Sequence, residues 1–151
     1  MASKPYLIIA SRFNRLISSA LHEGALDAFT HHGVGLDLIK TLWVPGCFEI
    51  PGLAAKAARS GKFSAIICLG AVIKGDTPHF DYVAGETARG LQQVSIDTGI
   101  PVIFGILTTL TEEQALSRCG IKGGNKGAEA AHTAISMTKV YRDLDEIFTH
   151  E

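Results

Sequence analysis

Four short apolar runs, each followed by a stretch of helical periodicity, constrain the fold of this chain more than any other feature. Tyr6 to Ala10 (YLIIA), about Leu36 to Val44, Phe63 to Leu69 (FSAIICL) and Val102 to Leu107 read as strands. The unbroken apolarity of the third run suits a strand buried on both faces. After the first, Asn14 is placed to cap a helix with Ile17, Leu21, Ala25, Ala28 and Phe29 on one side, ended by Gly33 and Gly35. Pro45-Gly46 stops the second, and an alanine-rich helix closed by Gly61 follows. After the third, Phe80, Val83, Thr87, Leu91 and Val94 recur at three- or four-residue steps along a helix to about Asp97. After the fourth, Thr111-Glu112-Glu113-Gln114 has the form of a capping box for a short helix ending near Gly120. Asn125 is placed to cap a last helix, to about Ile147. Strands alternating with helices imply right-handed crossovers and a parallel sheet covered on both faces. The expected class is α/β: a flavodoxin-like three-layer αβα sandwich with a four-stranded parallel sheet and five helices.

At 151 residues the chain is expected to form one domain over 1–151, and its 46% apolar content supports a packed core. A net charge of -1 gives no electrostatic reason to expect a nucleic-acid partner. No apolar run approaches the roughly 20 residues of a membrane span. Because Tyr6 is expected to open a strand, the basic start, apolar core and cleavage site of a secretory leader are not expected here. Cys47, Cys68 and Cys119 are odd in number and scattered, which argues against a disulfide framework or a zinc site and makes a reducing cytoplasm the simplest location.

In such sheets ligands bind beyond the carboxyl ends of the strands. The unusual residues gather there: Phe13 and Asn14 after the first strand, Phe48 and Glu49 after the second, Lys74 to His79 after the third. Thr77 is placed as an N-cap and Pro78 at the first helical position, so His79 falls in a first turn, where unpaired N–H groups and the helix dipole favour an anion. A histidine there is a candidate for proton transfer or a plain surface residue. Phe13 reads as a stacking platform for a planar heterocycle or as core. Glu49 reads as a ligand contact or a first-turn carboxylate facing the dipole. Arg118 and Lys126, flanking a glycine-rich loop, read as a phosphate clamp or as cations suited to a helix end. Phe104, inside a strand, is core by default. Lys74-Gly75 is neither a Walker loop nor a dinucleotide fingerprint. The residues by themselves stop at a small-molecule site with an anion-binding end.

Six segments in order, RFN, VPGCFEIP, GAVIKGDTPHFDYV, PVIFGILTT, EQALSR and GGNKGAEAA, resemble the lumazine synthase family of riboflavin biosynthesis over nearly the whole chain. The resemblance implies condensation of 5-amino-6-(D-ribitylamino)uracil with 3,4-dihydroxy-2-butanone 4-phosphate, releasing phosphate and water. No metal or redox cofactor is implied. It makes His79 the proton-transfer residue. Phe13, Asn14, Cys47, Phe48, Glu49, Val72, Ile73, Phe104 and Lys126 would surround the pyrimidine and ribityl chain, with Lys126 adding positive charge near the phosphate. Gly75, Asp76, Thr77 and Arg118 would hold the phosphate. It implies a homopentamer with sites between subunits, to which the neighbour supplies Phe104, Arg118 and Lys126. A short N-terminal segment speaks against a sixty-subunit capsid and the compact GIKGGNKG loop for one; riboflavin synthase is a further implied partner. The departures are Cys47, where alanine is frequent, and Asp76, whose carboxylate opposes anion binding unless it turns away or pairs with Lys74 or Arg118. A non-catalytic flavin or lumazine carrier would keep Phe13 and Glu49 but have no use for His79, Arg118 or Lys126. A riboflavin-forming enzyme acting on two lumazines would have no use for the anion-binding set.

Overall fold

The computed structural model describes residues 3–120 and 123–150. Four strands, β1 (Tyr6–Ser11), β2 (Ile39–Val44), β3 (Ala65–Ile73) and β4 (Val102–Thr109), form one sheet in the order β2-β1-β3-β4. All three pairings are parallel, in a register that sets Tyr6 beside Ile39 and Ala65, and Ile66 beside Val102. The helices are α1 (Arg15–His31), α2 (Ile50–Arg59), α3 (His79–Thr98), α4 (Glu112–Leu116) and α5 (Lys126–Thr149). The three-layer αβα class is therefore as the alternation predicts.

Because strand side chains alternate between faces, each central strand feeds two cores. Ile8, Ala10, Ile67, Leu69 and Leu107 pack with α1, α4 and α5, where Ile17, Leu21, Ala25, Ala28 and Phe29 are all buried. Leu7, Ile9, Ile66, Cys68 and Ile106 pack with α2 and α3, meeting Ala54, Leu91 and Val94. Each fully buried Leu, Ile or Phe contributes about 1.5–3 kcal/mol. Gly127 sets the α1–α5 approach, since a Cβ there would run into the Leu21 carbonyl. Thr111 accepts from the Gln114 N–H at 3.1 Å and Asn125 from that of Ala128 at 3.0 Å, so both predicted caps are made.

β1 and β4 run one and two residues longer than the apolar runs, to Ser11 and Thr109, and three further boundaries differ. Leu36–Leu38 is a 3-10 turn, and β2 opens only at Ile39, where Tyr6 provides its pairing partner. The third strand is Ala65–Ile73 rather than 63–69, because β4 pairs with it as far as Ile73↔Thr109. Gly70 thus lies inside a strand and not in a loop. A Cβ there would stand 2.5 Å from Ser11 Oγ and 2.7 Å from Cys47 Sγ, a close approach that only glycine allows. Finally, α3 begins at His79 with Pro78 as its cap residue. Thr77 is one position too early to cap it, and its hydroxyl accepts only a long 3.4 Å contact from the His79 N–H. Ile121 and Lys122 of the GIKGGNKG segment lie outside the described residues.

Candidate active site

The exit from β1 is a sharp turn at Asn14, the one non-glycine residue with positive φ (58°) among the described residues. Asparagine tolerates this left-handed conformation better than most side chains. Its amide does not cap α1; Nδ2 donates to the Ala71 carbonyl at 3.4 Å, tying the turn to β3. Arg12 and Phe13 carry the β1–β2 ladder onward, donating their N–H groups to Val44 at 2.7 Å and Pro45 at 3.1 Å. The Phe13 ring is left 70% exposed.

Phe13 borders a cleft of about 630 Å³ beyond the carboxyl ends of β1, β2 and β3. The 3-10 turn Cys47–Glu49 brings Cys47, Phe48 and Glu49 to it from one side, and the end of β3 brings Val72 and Ile73 from below. Gly75, Thr77 and His79 close it at the start of α3. Nine of the sequence-selected residues therefore share one cavity. Its wall is mainly apolar, interrupted by the Glu49 carboxylate and the His79 imidazole. Tyr82, 69% exposed, also lines it and was not singled out from sequence. The available signal was an aromatic off the core face of α3, three residues after His79.

Burial pushes the Cys47 thiol up from its ordinary value, against weaker opposing effects of the Ser11 hydroxyl and the Ala71 carbonyl; the Glu49 carboxylate pushes it further up. Cys47 is thus a neutral lining group and not a thiolate nucleophile.

The other selected residues lie elsewhere on the chain. Asp76 is exposed and, like Asn14, is not on the cleft wall. Arg118 and Lys126 line a separate concavity of about 420 Å³ beside the end of β4. Phe104, expected in the core by default, is instead exposed, because β4 is the edge strand, and lines an adjoining hollow that Lys126 also borders. This second surface is built as carefully as the first. Arg118 Nη1 donates to the Gln114 carbonyl at 2.8 Å and to Ser117 Oγ at 3.2 Å, which uses two of its five N–H donors. The Lys126 N–H donates to the Arg118 carbonyl at 2.8 Å. Asn125 Nδ2 donates to the carbonyls of Cys119 at 3.0 Å and Ala20 at 3.1 Å, pinning this corner to α1.

One chain therefore carries an aromatic, apolar cleft with a histidine and a carboxylate, and a second surface with Arg118, Lys126, the Glu129 carboxylate and an edge-strand aromatic. No helix among the described residues is long and apolar enough to cross a membrane. The sequence profile of the family described as 6,7-dimethyl-8-ribityllumazine synthase matches residues 4–142, which takes in every residue that lines the two surfaces. The chain belongs to the lumazine synthase family.

Proposed function

We propose that this protein condenses 5-amino-6-(D-ribitylamino)uracil with 3,4-dihydroxy-2-butanone 4-phosphate to give 6,7-dimethyl-8-ribityllumazine, releasing phosphate and water. One observation carries the reading: the family match spans an aromatic cleft and a second concavity that bears Arg118 and Lys126. They form one site when the second concavity of a neighbouring copy meets the cleft. This reading requires an oligomer with sites between subunits, and the family resemblance makes it a homopentamer. A sixty-subunit capsid and association with riboflavin synthase are further states that the family resemblance suggests.

In this scheme Phe13 stacks on the pyrimidine, Val72 and Ile73 contact it through their backbone, and Glu49 accepts from ribityl hydroxyls. The substrate amine attacks the ketone to form an imine, phosphate is eliminated, and the ribitylamino nitrogen closes the second ring. His79 at the start of α3 relays protons, while Arg118 of the adjacent copy, with Lys126 nearby, stabilises the departing anion. Holding two reactants together supplies much of the acceleration.

The test is a single assay of purified protein with both substrates, following lumazine absorbance and released phosphate. Equal production of the two is expected. Tight binding of lumazine or riboflavin with no turnover would identify a carrier instead.

A further inference from the structure

Thr87 is fully buried in the middle of α3, two turns beyond His79, yet it is a polar residue on the face that Leu91 and Val94 give to the core. Its hydroxyl donates to the Cys47 carbonyl at 3.3 Å, across 40 residues of chain. That carbonyl opens the three-residue turn that presents Phe48 and Glu49 to the cleft. The same carbonyl accepts from the Ile50 N–H where the turn runs into α2, and Cys47 and Ile50 are buried, but among the described hydrogen bonds only the Thr87 hydroxyl ties the turn to α3. The turn's own backbone supplies a Glu49 N–H to Gly46 carbonyl bond of 3.2 Å, and Phe48 is 59% exposed. The Cys47 side chain adds a distant contact from Sγ to the Ala71 carbonyl at 4.0 Å. A valine would fill the Thr87 site with the same shape, so packing alone does not account for a hydroxyl there.

We infer that Thr87 is a positioning residue, which fixes the Phe48–Glu49 turn relative to the helix that carries His79 and so sets the grip on the ring-bearing, polyhydroxylated substrate. Thr87 does not itself line the cleft and reaches it through the carbonyl of Cys47, which does. The inference rests on the proposed reaction, in which Glu49 binds the ribityl chain and the phosphorylated substrate is held elsewhere.

Thr87→Val removes the O–H and keeps the shape; Thr87→Ser keeps the O–H. Thr87→Val is expected to raise the KM for the pyrimidine substrate on the order of ten-fold, the weight of one buried hydrogen bond, and to leave the KM for the phosphorylated substrate unchanged. Thr87→Ser is expected to restore the wild-type value. Amide exchange at residues 47–50 should quicken in Thr87→Val and not in Thr87→Ser, a readout independent of turnover. If Thr87→Val does not fold, Thr87→Ala against Thr87→Ser gives the same comparison. Equal rises in both KM values, or a lowered Tm with both KM values and the exchange at 47–50 unchanged, would overturn the inference. A wild-type protein that makes no lumazine sinks the proposed reaction instead, and the exchange experiment still decides whether the hydroxyl holds the turn.

Discussion

His79, Arg118 and His22 make separable contributions. His79 opens α3 at the edge of the cleft, where a general acid–base group is worth about 10²-fold or more. His79→Ala is expected to lower turnover by roughly that factor and leave residual activity from proximity, measured as kcat on assembled protein. Complete loss in a folded, assembled variant would contradict this. Arg118→Ala removes a planar fork suited to phosphate and should raise the KM for the phosphorylated substrate at least about ten-fold. Unchanged affinity would remove Arg118 from the site. Away from the cleft, His22 contacts Thr41 Oγ1 at 2.9 Å and packs edge-on to Trp43. Burial is the main cause that lowers its pKa from 6.5, so the folded state binds fewer protons than the unfolded one just below that pH. Stability is then whole above about pH 6.5 and declines as pH falls through the lowered folded-state value. Tm measured against pH should show this decline, and His22→Gln should flatten it.

The elements are held by contacts between backbones as much as by side chains. At the α1–α5 crossing, Gly127 faces the Leu21 carbonyl and Asn125 reaches the Ala20 carbonyl. Gly127→Ala must push the two helices apart, an overpacking that costs about 1–3 kcal/mol. A lowered Tm is the expected readout, with a loss of phosphate-substrate affinity because Arg118 and Lys126 sit on the same corner. A Gly127→Ala protein as stable as the parent would mean that this crossing is looser than its geometry. The strand ends show the same economy: one left-handed residue, Asn14, turns β1 into α1 and sets Phe13 over the cleft.

For the whole molecule, the proposed sharing of the site between copies predicts complementation, which a site within one chain does not. Mixing His79→Ala and Arg118→Ala protomers under conditions that allow exchange should restore about a quarter of the sites, because a cleft with His79 then meets a neighbour with Arg118 one time in four. Activity of the mixture above that of either variant alone, with the oligomer size followed by sedimentation, is the expected result. A mixture no better than the average of its parts would place all catalytic groups on one chain.

The alternation of apolar runs and helical faces was enough to give the layers, the parallel sheet and the core residues of α1, because periodicity is a local property that burial then reads directly. Capping by Thr111 and Asn125 was legible for the same reason, since donor and acceptor are three residues apart. The end of β3 was not. Whether Gly70 to Ile73 is loop or strand depends on pairing with β4, more than 30 residues on in the chain. Thr87 was legible on the inner face of α3, but its bond to a carbonyl 40 residues away was not, and Tyr82 is defined only by the cleft it borders. The motifs named the residues, but only the tertiary structure divided them between two surfaces. That division follows from where each element leaves the sheet: β1, β2 and β3 deliver theirs to one hollow, while the edge strand β4, the turn after α4 and the start of α5 carry Phe104, Arg118 and Lys126 to two adjoining ones.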